Sequence, residues 1–377
     1  MRIGLNLLYL LPGIVGGSQT YAVSLIQAMA ALDTENEYFL YLNRESEGLE
    51  ITAAANFHWV ICPVQAVRRE SRYAYEQLRL PGALRRDRIH LLHSLGYVGP
   101  LAAPCPQVVS ILDLIYRGHQ VMMTSRKQKA LEFFVKQSAR RASQIITISE
   151  NSKREIAEDI KISPDKVTVT YLAARPAAAP STPQERAPVL ARYGIEAPYV
   201  LAFSSANPVK NIPRLMEAFA DACAGLPHQL VLLGHAPSGT DFAAEAALRN
   251  LAGRVVVTGY VPDADIAPLL QGAAVFAFPS LYEGFGLPVL DAQQVGVPVV
   301  CSNAASLPEV AGDGAVLFDP ASVSEMRDAL RSCLTDDALR ASLTARGYAN
   351  AAQFSWEKTA RQTLEVYAKA QGNQDKV

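Results

Sequence analysis

Two acidic residues bracket a glycine-rich loop late in the chain. Glu283 and Asp291 are eight positions apart, and Gly284 and Gly286 lie between them. Carboxylates accept hydrogen bonds from pairs of sugar hydroxyls, and glycine lets backbone amides approach a phosphate closely. Asp291 falls on a predicted helix that begins near Pro288, where proline is favoured. The pattern predicts a site for a sugar or a phosphate, the alternative being a tight turn followed by an acid early in a helix.

Two earlier loops add chemistry suited to phosphate. Lys210 lies at the start of a predicted helix, in the loop Ser204–Asn211, where it can hold a diphosphate as a compact point charge. The loop Gly13–Thr20 follows the first strand and opens a helix, whose N-terminus attracts anions. Each has an ordinary alternative, a solvated lysine in one case and a simple turn in the other. The second loop lacks the G-x-G-x-x-G spacing and no acid ends the second strand, which argues against a nicotinamide dehydrogenase.

These loops need a framework, and the chain repeats the pattern of strand, loop and helix. Short strands rich in valine, isoleucine and leucine are predicted at residues 2–9, 38–42, 58–61, 89–93, 107–112, 144–148 and 167–171, and again at 199–203, 229–233, 254–258, 275–278, 297–301 and 315–318. Helices are predicted at residues 20–31, 125–141, 151–159, 212–224, 241–251, 263–270, 288–295 and 322–333. This alternation implies an α/β protein with parallel sheets covered on both faces, whose ligands bind beyond the carboxyl ends of the strands.

The length and one proline-rich stretch divide the chain. A chain of 377 residues fits two domains better than one core. Four prolines without a hydrophobic period, between Arg175 and Pro188, predict a linker at residues 176–188. We therefore expect an N-terminal domain at residues 1–175 and a C-terminal domain at residues 189–355, followed by a helix at residues 356–377.

The charge balance limits the choice of partners. A net charge of −1 argues against nucleic acid. Residues 1–175 hold 21 basic against 16 acidic residues, whereas the rest of the chain holds 14 against 20. The basic excess is densest at Arg68, Arg69, Arg72, Arg79, Arg85, Arg86 and Arg88. Two interpretations remain open, a solvated basic face and a surface for anionic lipid or an acidic acceptor.

Cysteine usage and hydropathy address the compartment. The five cysteines show no C-x-x-C and no metal-ligand spacing, which is typical of buried thiols in a reducing compartment. No apolar run approaches the ~20 residues of a membrane span. The apolar residues 3–15 contain Asn6, Pro12 and Gly13, unlike a signal peptide. We expect a cytoplasmic protein.

Together these motifs resemble the family 4 retaining glycosyltransferases of the GT-B fold. The likeness is closest from Phe278 to Pro320 and covers essentially the whole chain, through Gly16-Gly17, Ile148–Glu150, Pro208–Asn211, Gly259–Asp263 and Phe354–Trp356. The resemblance implies two doubly wound Rossmann-like domains facing a central cleft, with the acceptor on the N-terminal side and the nucleotide-sugar donor on the C-terminal side. It also implies that the helix at residues 356–377 crosses back to the N-terminal domain.

The resemblance assigns roles residue by residue. It implies that Lys210 neutralises the leaving diphosphate, Glu283 binds sugar hydroxyls and Asp291 holds the ribose. The full set of implied donor contacts is Gly16, Gly17, Ser204, Lys210, Asn211, Glu283, Gly284, Phe285, Gly286, Leu287 and Asp291. Asp113 is the third catalytic candidate, and the acceptor-side candidates are His93, His119 and Arg72. Retention of the anomeric configuration, with no metal and no cofactor, is implied as well.

The chain departs from the family pattern at four positions. Asp291 stands in place of a second glutamate, and Leu112 in place of a histidine before Asp113. Val209 and Ser204 stand where many relatives have basic residues. Because the last two changes remove cations, we expect modest donor affinity that relies on Lys210 and backbone amides. A catalytically silent GT-B partner protein therefore remains an alternative.

The resulting prediction is a hexosyltransferase that moves mannose from GDP-mannose to a glycan or lipid-linked acceptor in surface polysaccharide biosynthesis. A UDP-sugar-dependent transferase of the same family and a sugar-nucleotide 2-epimerase are further alternatives. The expected partners are the nucleotide sugar and the acceptor. Peripheral contact with an anionic membrane, at the inner face of the cytoplasmic membrane, is a hypothesis. No oligomeric state is predicted.

Overall fold

The chain folds into two compact units. The computed structural model describes residues 1–12, 16–118, 125–176, 178–196, 198–205, 207–236 and 239–372. Residues 1–117 and 125–172 form the first unit together with the C-terminal segment from Ser355. The second unit runs from Ala173 to Phe354. The change of unit at residues 172–173 lies three residues before the end of the predicted N-terminal domain.

Each unit is built on a parallel sheet. Over the described residues, the first sheet has seven strands in the order β3-β2-β1-β4-β5-β6-β7, formed by Arg2–Asn6 (β1), Glu37–Leu42 (β2), Phe57–Ile61 (β3), Leu91–Ser94 (β4), Gln107–Ser110 (β5), Gln144–Thr147 (β6) and Val167–Val169 (β7). The second sheet, counted the same way, has six in the order β10-β9-β8-β11-β12-β13, formed by Tyr199–Phe203 (β8), Gln229–Leu233 (β9), Val255–Val257 (β10), Val275–Phe278 (β11), Val299–Ser302 (β12) and Ala315–Phe318 (β13). Each of these strands overlaps a predicted one.

Helices alternate with the strands. In the first unit they are Gly16–Leu32 (α1), Arg69–Leu78 (α2), Leu80–Arg86 (α3), Ile115–Gly118 (α4), Ser125–Arg141 (α5) and Glu150–Ile160 (α6). In the second unit they are Pro183–Arg192 (α7), Ile212–Ala222 (α8), Phe242–Leu248 (α9), Asp263–Gln271 (α10), Leu287–Gln294 (α11), Leu307–Ala311 (α12), Val323–Thr335 (α13) and Asp337–Ala351 (α14). The last helix, Trp356–Gly372 (α15), belongs to the first unit and packs against α1. None of these helices, within the described residues, is long and apolar enough to span a membrane.

Burial on both faces explains the apolar strands. In β8, Val200 and Ala202 pack into a core with α8 and α13, whereas Tyr199 and Leu201 pack into a second core with α10 and α11. Successive side chains of a strand point to opposite faces, so a sheet covered on both sides needs an apolar residue at nearly every position. This arrangement confirms the predicted fold class, two α/β units with Rossmann-like parallel sheets.

Part of the proline-rich segment predicted as the linker, residues 176–188, is helical. Residues 183–188 form the first part of α7, which packs against α10 of the second unit. Thr182 and Glu185 form a capping box that satisfies the first amides of the helix, and Pro183 occupies its first turn, where proline is tolerated. The helix forms despite Pro188 in its interior, and both its cap and its packing against α10 offset part of the cost of that proline.

Candidate functional site

The strand order of the second sheet reverses between β8 and β11. The chain places β9 and β10 on one side of β8, and β11, β12 and β13 on the other. Strands β8 and β11 are parallel neighbours, and the chain leaves them through loops at the same carboxyl edge of the sheet. In open α/β sheets, ligands bind beyond the carboxyl ends of the strands at such a switch point. The loop after β8 carries Lys210 and the loop after β11 carries Glu283. The topology therefore brings together two residues that are 73 positions apart.

Lys210 and Glu283 form an ion pair at this edge. Lys210 Nζ lies 2.7 Å from Glu283 Oε1, and the two side chains are 21% and 18% exposed. The ammonium group also lies 4.6 Å from the centre of the Phe278 ring, a cation–π contact. Both charges are partly desolvated yet remain accessible. A ligand can therefore replace this ion pair if it offers a negative charge to the Lys210 ammonium and hydroxyl groups to the Glu283 carboxylate.

Backbone and amide contacts hold the two loops together. Asn211 ends a single 3-10 turn at Pro208–Lys210 with a φ of 57°, a left-handed conformation that asparagine tolerates. Its buried amide donates to the carbonyl oxygens of Pro279 and Pro320 at 3.1 and 2.8 Å. Leu281 N–H donates to Val209 O at 2.8 Å. Asn211, predicted as a donor contact, thus positions the loop of Lys210 against the loop of Glu283.

The glycine loop after β11 is shaped for a close approach of the backbone. Ser306 Oγ lies 2.8 and 2.7 Å from the carbonyl oxygens of Glu283 and Phe285. Gly286 has a φ of 119°, and a Cβ there would lie 2.6 Å from Leu307 Cδ2, so only glycine fits. The helix α11 then begins at Leu287, and no side chain caps its first amides. Pro288 has no N–H and Val289 N–H donates to Gly286 O at 2.9 Å, so Leu287 carries the first backbone amide that this helix start can offer an anion.

Asp291 lies one turn into α11 and is buried, with 7% exposure. Its Oδ1 accepts a 2.9 Å hydrogen bond from the backbone N–H of Arg175. Its Oδ2 lies 3.9 Å from Arg175 Nε. Burial raises the pKa of Asp291, and the charge and backbone N–H of Arg175 oppose that rise. Arg175 therefore keeps this buried carboxyl group closer to its ionised form.

Ser204, a predicted contact of the nucleotide-sugar donor, already uses its hydroxyl in a hydrogen bond within the protein. The residue is buried, and its Oγ donates to the carbonyl oxygen of His235 at 2.8 Å. Its backbone N–H donates to Leu233 O at 2.7 Å. Its role as a donor contact stays a prediction, since in this structure the side chain joins the end of β8 to the chain after β9.

In the first unit, Gly16 and Gly17 lie in one environment and Asp113 in another. Gly16 and Gly17 are exposed at the start of α1, and a Cβ on either would meet no atom within 4 Å. Asp113 follows β5, and its Oδ1 accepts from Tyr97 Oη at 3.2 Å and from Ile115 N–H at 3.1 Å. His119 lies outside the described residues.

Arg72 is held near the carboxyl end of β1, on helix α2. Its Nε lies 3.9 Å from Glu76 Oε2, and its guanidinium lies 4.6 Å from the centre of the Tyr73 ring. Only 11% of the Arg72 side chain is exposed. Its accessible surface is therefore small, and its acceptor-side role stays a prediction.

The acceptor-side prediction for His93 is wrong. His93 is fully buried in β4, and both ring nitrogens are engaged at 2.7 Å, Nδ1 with Tyr367 Oη and Nε2 with Ser110 Oγ. Burial lowers the pKa of His93 to about 3. The histidine therefore links β4 to β5 and to α15 as a neutral core residue, and it has no surface to offer an acceptor.

Comparison with known proteins assigns the family. The profile described as Glycosyltransferase Family 4 matches residues 15–176, and the profile described as Glycosyl transferases group 1 matches residues 192–350. The chain belongs to the group 1, family 4 glycosyltransferases. The family predicted from the sequence is thereby confirmed, and the two profiles correspond closely to the two units.

Individual relatives of this glycosyltransferase match part of their own length. The O-antigen chain mannosyltransferase B of Escherichia coli is 38% identical over 230 residues, which cover 60% of this chain and 60% of that protein. The serotype-specific mannosyltransferase WbdA of Escherichia coli is 30% identical over 247 residues, covering 63% of this chain and 30% of that protein. The alignments thus span about 60% and 30% of these two relatives.

Among solved structures, Anabaena HepE in complex with UDP-glucose superposes with a TM-score of 0.76 at 18% identity, covering 98% of this chain and 99% of that one. At this identity the likeness speaks for the fold alone. It confirms that this glycosyltransferase has the GT-B fold.

Two of the departures from the family pattern lie in the packed interior of this glycosyltransferase. Val209 and Leu112 are 5% and 4% exposed. Sequence reasoning missed other residues of the site, namely Phe278 beneath Lys210, Ser306 beneath the glycine loop and Arg175 beside Asp291. Phe278 ends a predicted strand next to the motif, so its position in the sequence could have predicted that it lies in the site. Arg175 is 116 residues from Asp291 and gave none.

Proposed function

We propose that this protein is a retaining, metal-independent hexosyltransferase that transfers mannose from GDP-mannose to a glycan or lipid-linked acceptor in surface polysaccharide biosynthesis. The observation that carries the proposal is the Lys210–Glu283 pair at the switch point of the second sheet, beside the uncapped start of α11. The choice of mannose is supported by the names of the two relatives from Escherichia coli, both mannosyltransferases.

Donor binding would begin with an exchange of partners at the ion pair. The diphosphate carries more negative charge than one carboxylate and takes over the Lys210 ammonium. Glu283 is then free to accept hydrogen bonds from hydroxyls of the hexose. A fixed cation beside the leaving diphosphate stabilises the charge that develops as the glycosidic bond breaks. The same two residues thus serve both the sugar and its leaving group.

The amides at the start of α11 would bind the second part of the diphosphate. Gly284, Phe285, Gly286 and Leu287 supply a backbone with no Cβ at the two glycine positions. The helix N-terminus adds partial positive charge. These groups do for the leaving phosphate what a divalent metal does elsewhere. We therefore expect turnover without added metal.

On the acceptor side, the proposed reaction is a front-face attack in which the leaving phosphate takes the acceptor proton. Gly16 and Gly17, exposed at the start of α1, stay the proposed donor contacts of the first unit. Asp113 is the proposed polar contact, and the Tyr97 hydroxyl and the Ile115 N–H fix its orientation. Retention follows because the acceptor enters on the face from which the phosphate leaves.

Thermal stability of the purified protein against a panel of nucleotides and nucleotide sugars, with and without EDTA, tests the proposal. We expect GDP and GDP-mannose to raise the midpoint, since a ligand that binds only the folded state stabilises it. The rise should persist in EDTA and be smaller in Lys210→Ala at the same ligand concentration. A shift with UDP compounds alone would replace mannose and GDP with a UDP-sugar. No shift from any donor would favour a catalytically silent GT-B partner protein.

A lipid-linked acceptor would suit the basic stretch around α2. Val67 and Leu78 are 63% and 78% exposed, next to the exposed Arg68, Arg69 and Arg79. Apolar and basic side chains side by side favour an anionic bilayer surface. We expect the protein to sediment with phosphatidylglycerol vesicles but not with phosphatidylcholine vesicles, and the triple variant in which Arg68, Arg69 and Arg79 become Glu to lose that binding. Equal recovery of variant and wild type would exclude this surface.

A further inference from the structure

Four buried side chains of the first unit form a continuous chain of hydrogen bonds. On α15, Tyr367 Oη lies 2.7 Å from His93 Nδ1 of β4. His93 Nε2 lies 2.7 Å from Ser110 Oγ at the end of β5, and that hydroxyl lies 2.7 Å from Tyr21 Oη of α1. Each of the four residues is at most 1% exposed. Because these groups are shut off from bulk solvent, a hydrogen bond lost here is not replaced by one to water.

His93 and Ser110 join the two strands that lead to Asp113, the proposed polar contact on the acceptor side. Strands β4 and β5 are parallel neighbours, and the chain leaves β4 toward Tyr97 and leaves β5 toward Asp113. Ser110 O accepts a 3.0 Å hydrogen bond from Tyr97 N–H, and Tyr97 Oη donates to Asp113 Oδ1 at 3.2 Å. The hydrogen-bond chain therefore continues through Ser110 and Tyr97 to the carboxylate of Asp113.

Tyr97 has a backbone conformation that its surroundings must hold. Its φ is 66°, in the left-handed region that a bulky aromatic residue rarely adopts. The ring of Tyr9 packs against the preceding Gly96 so closely that a Cβ there would collide with it. Strained backbone of this kind persists where neighbouring contacts over-determine it, and it is concentrated at functional sites. The hydrogen bond to Ser110 O is one of the contacts that hold the Tyr97 hydroxyl beside Asp113.

The two hydrogen bonds of the His93 ring depend on each other. Burial lowers the pKa of His93, so the imidazole is neutral near pH 7, with one nitrogen that donates and one that accepts. The role that Nδ1 takes toward Tyr367 therefore sets the role that Nε2 takes toward Ser110. Tyr367→Phe leaves Nδ1 buried without this partner, which loosens the ring between the two strands.

We propose that Tyr367 is a positioning residue for sugar transfer: its hydroxyl fixes the His93 ring, His93 fixes the ends of β4 and β5 against each other, and this spacing sets the orientation of Asp113. The inference rests on the proposed function, because the role of Asp113 as an acceptor contact belongs to it. It makes a residue of the last helix act on the acceptor side without touching a substrate.

Hydrogen–deuterium exchange of the intact protein tests the chain without an acceptor. In Tyr367→Phe, we expect the N–H groups of Tyr97 and Ile115, which donate to Ser110 O and Asp113 Oδ1, to exchange about tenfold faster than in wild type. Tyr38→Phe is the matched control, because it removes a buried hydroxyl of the same unit that donates to Asp33 Oδ2. It should leave both rates at the wild-type value.

Two results would overturn the inference, namely unchanged exchange at both amides in Tyr367→Phe and equal acceleration in the control. If Tyr367→Phe releases α15, seen as fast exchange of its own amides, Ser110→Ala interrupts the chain beyond His93 and leaves the contact between α15 and His93 in place. The same two amides must then respond to Ser110→Ala, and their failure to do so rejects the role of the chain.

Kinetics separate positioning from a general loss of stability. With GDP-mannose as donor and octyl α-mannoside as the acceptor probe, Tyr367→Phe should lower kcat/KM for the acceptor about tenfold and leave KM for the donor unchanged. The double variant Tyr367→Phe/Asp113→Asn should be no slower than Asp113→Asn alone, because Tyr367 acts through Asp113. Losses that multiply would reject this coupling. If the wild type binds no nucleoside diphosphate or transfers no mannose to the probe, the proposed function fails in its donor or its acceptor, and the exchange rates alone decide on the hydrogen-bond chain.

Discussion

Each sheet has polar residues at the edge where its strand order reverses, and the two sets of residues differ in exposure to solvent. In the first sheet the order changes between β1 and β4, and the Asn6 amide there lies 3.3 Å from Ser94 Oγ and 3.4 Å from Glu76 Oε1. Glu76 is 2% exposed. In the second sheet the change lies between β8 and β11, where the side chains of Lys210 and Glu283 are about a fifth exposed.

A switch point in the strand order marks a possible ligand site. The difference in exposure indicates that a ligand can bind only where the polar side chains there remain accessible. The polar groups of the first edge satisfy one another or are closed off by their own unit, so their ionisation acts on stability. Those of the second edge pair with each other but remain reachable, so a ligand can replace one partner. We therefore expect substitutions at the second edge to change catalysis, and substitutions of buried titratable residues at or beside the first edge to change the pH dependence of unfolding.

Loss of Glu283 is expected to have the largest effect. Glu283→Ala should lower kcat by roughly 100- to 1,000-fold, the size of losing one preorganised electrostatic contact in a transition state. The measurement is initial rate with nucleotide sugar and acceptor, or hydrolysis of the nucleotide sugar where the acceptor is not in hand. Glu245→Ala is the matched control, because Glu245 forms a comparably exposed pair with Arg249 in the same unit. Wild-type turnover by Glu283→Ala would remove this residue from the catalytic site.

Loss of Lys210 should have a smaller effect on rate and a distinct effect on binding. Lys210→Ala should weaken nucleoside diphosphate binding about tenfold, the size of one charge-assisted contact. Glu283→Ala should leave that affinity unchanged or raise it, because it removes the carboxylate that competes for the ammonium. Titration calorimetry of both variants with GDP and UDP makes the comparison. Equal weakening by both substitutions would contradict an exchange of partners.

His93 should affect the stability of the first unit with a defined sign. Its folded pKa of about 3 is below the unfolded value, so the unfolded chain binds the extra proton between about pH 3 and 6.5. Stability should therefore fall on acidification below pH 6.5, by roughly 1.4 kcal/mol per pH unit, and be flat above it through this group. His93→Gln should remove that slope in urea unfolding curves between pH 4.5 and 8. An unchanged slope would show that the ring is solvated in the folded state.

The sequence predicted the strands well because their signal is local. Each strand buried on both faces needs a continuous apolar run, as Val275–Phe278 has, and the observed bounds of this strand match the predicted ones. The helices α2, α3, α4, α7, α12 and α14 were not predicted. Three of them contain or begin with proline, and α2 carries the basic stretch that was interpreted only as surface. Proline and charged residues weaken the helical pattern in the sequence, although capping and packing stabilise the helix in the fold.

The candidate site was predictable only where chemistry is contiguous in the chain. The segment of Glu283 and Asp291 carries its own glycines, and its motif identified the family. His93 looked like a ligand-binding residue because nothing nearby in sequence reveals Tyr367, which is 274 residues away. Arg175 lies 116 residues from its carboxylate partner. Such pairs form through tertiary packing, and contacts between residues so far apart cannot be predicted from the local pattern of a single sequence.

Glu76 should have the smallest effect, and its sign is opposite to that of His93. Burial raises the pKa of Glu76 to about 7, against the opposing charge of Arg72 and the hydrogen bond from Asn6. The folded chain therefore holds the extra proton between about pH 4.5 and 7. Through this group, stability should decline as the pH rises across that window and be flat above it.

Glu76→Gln removes the titration and keeps the shape of the side chain. Relative to wild type, the variant should gain stability as the pH rises from 5 to 8 in urea unfolding curves. At constant pH the variant should bind nucleoside diphosphate as wild type does, since Glu76 belongs to the first edge. A change in nucleotide affinity without a change in the slope would mean that the first edge takes part in donor binding, and the contrast between the two edges would not hold.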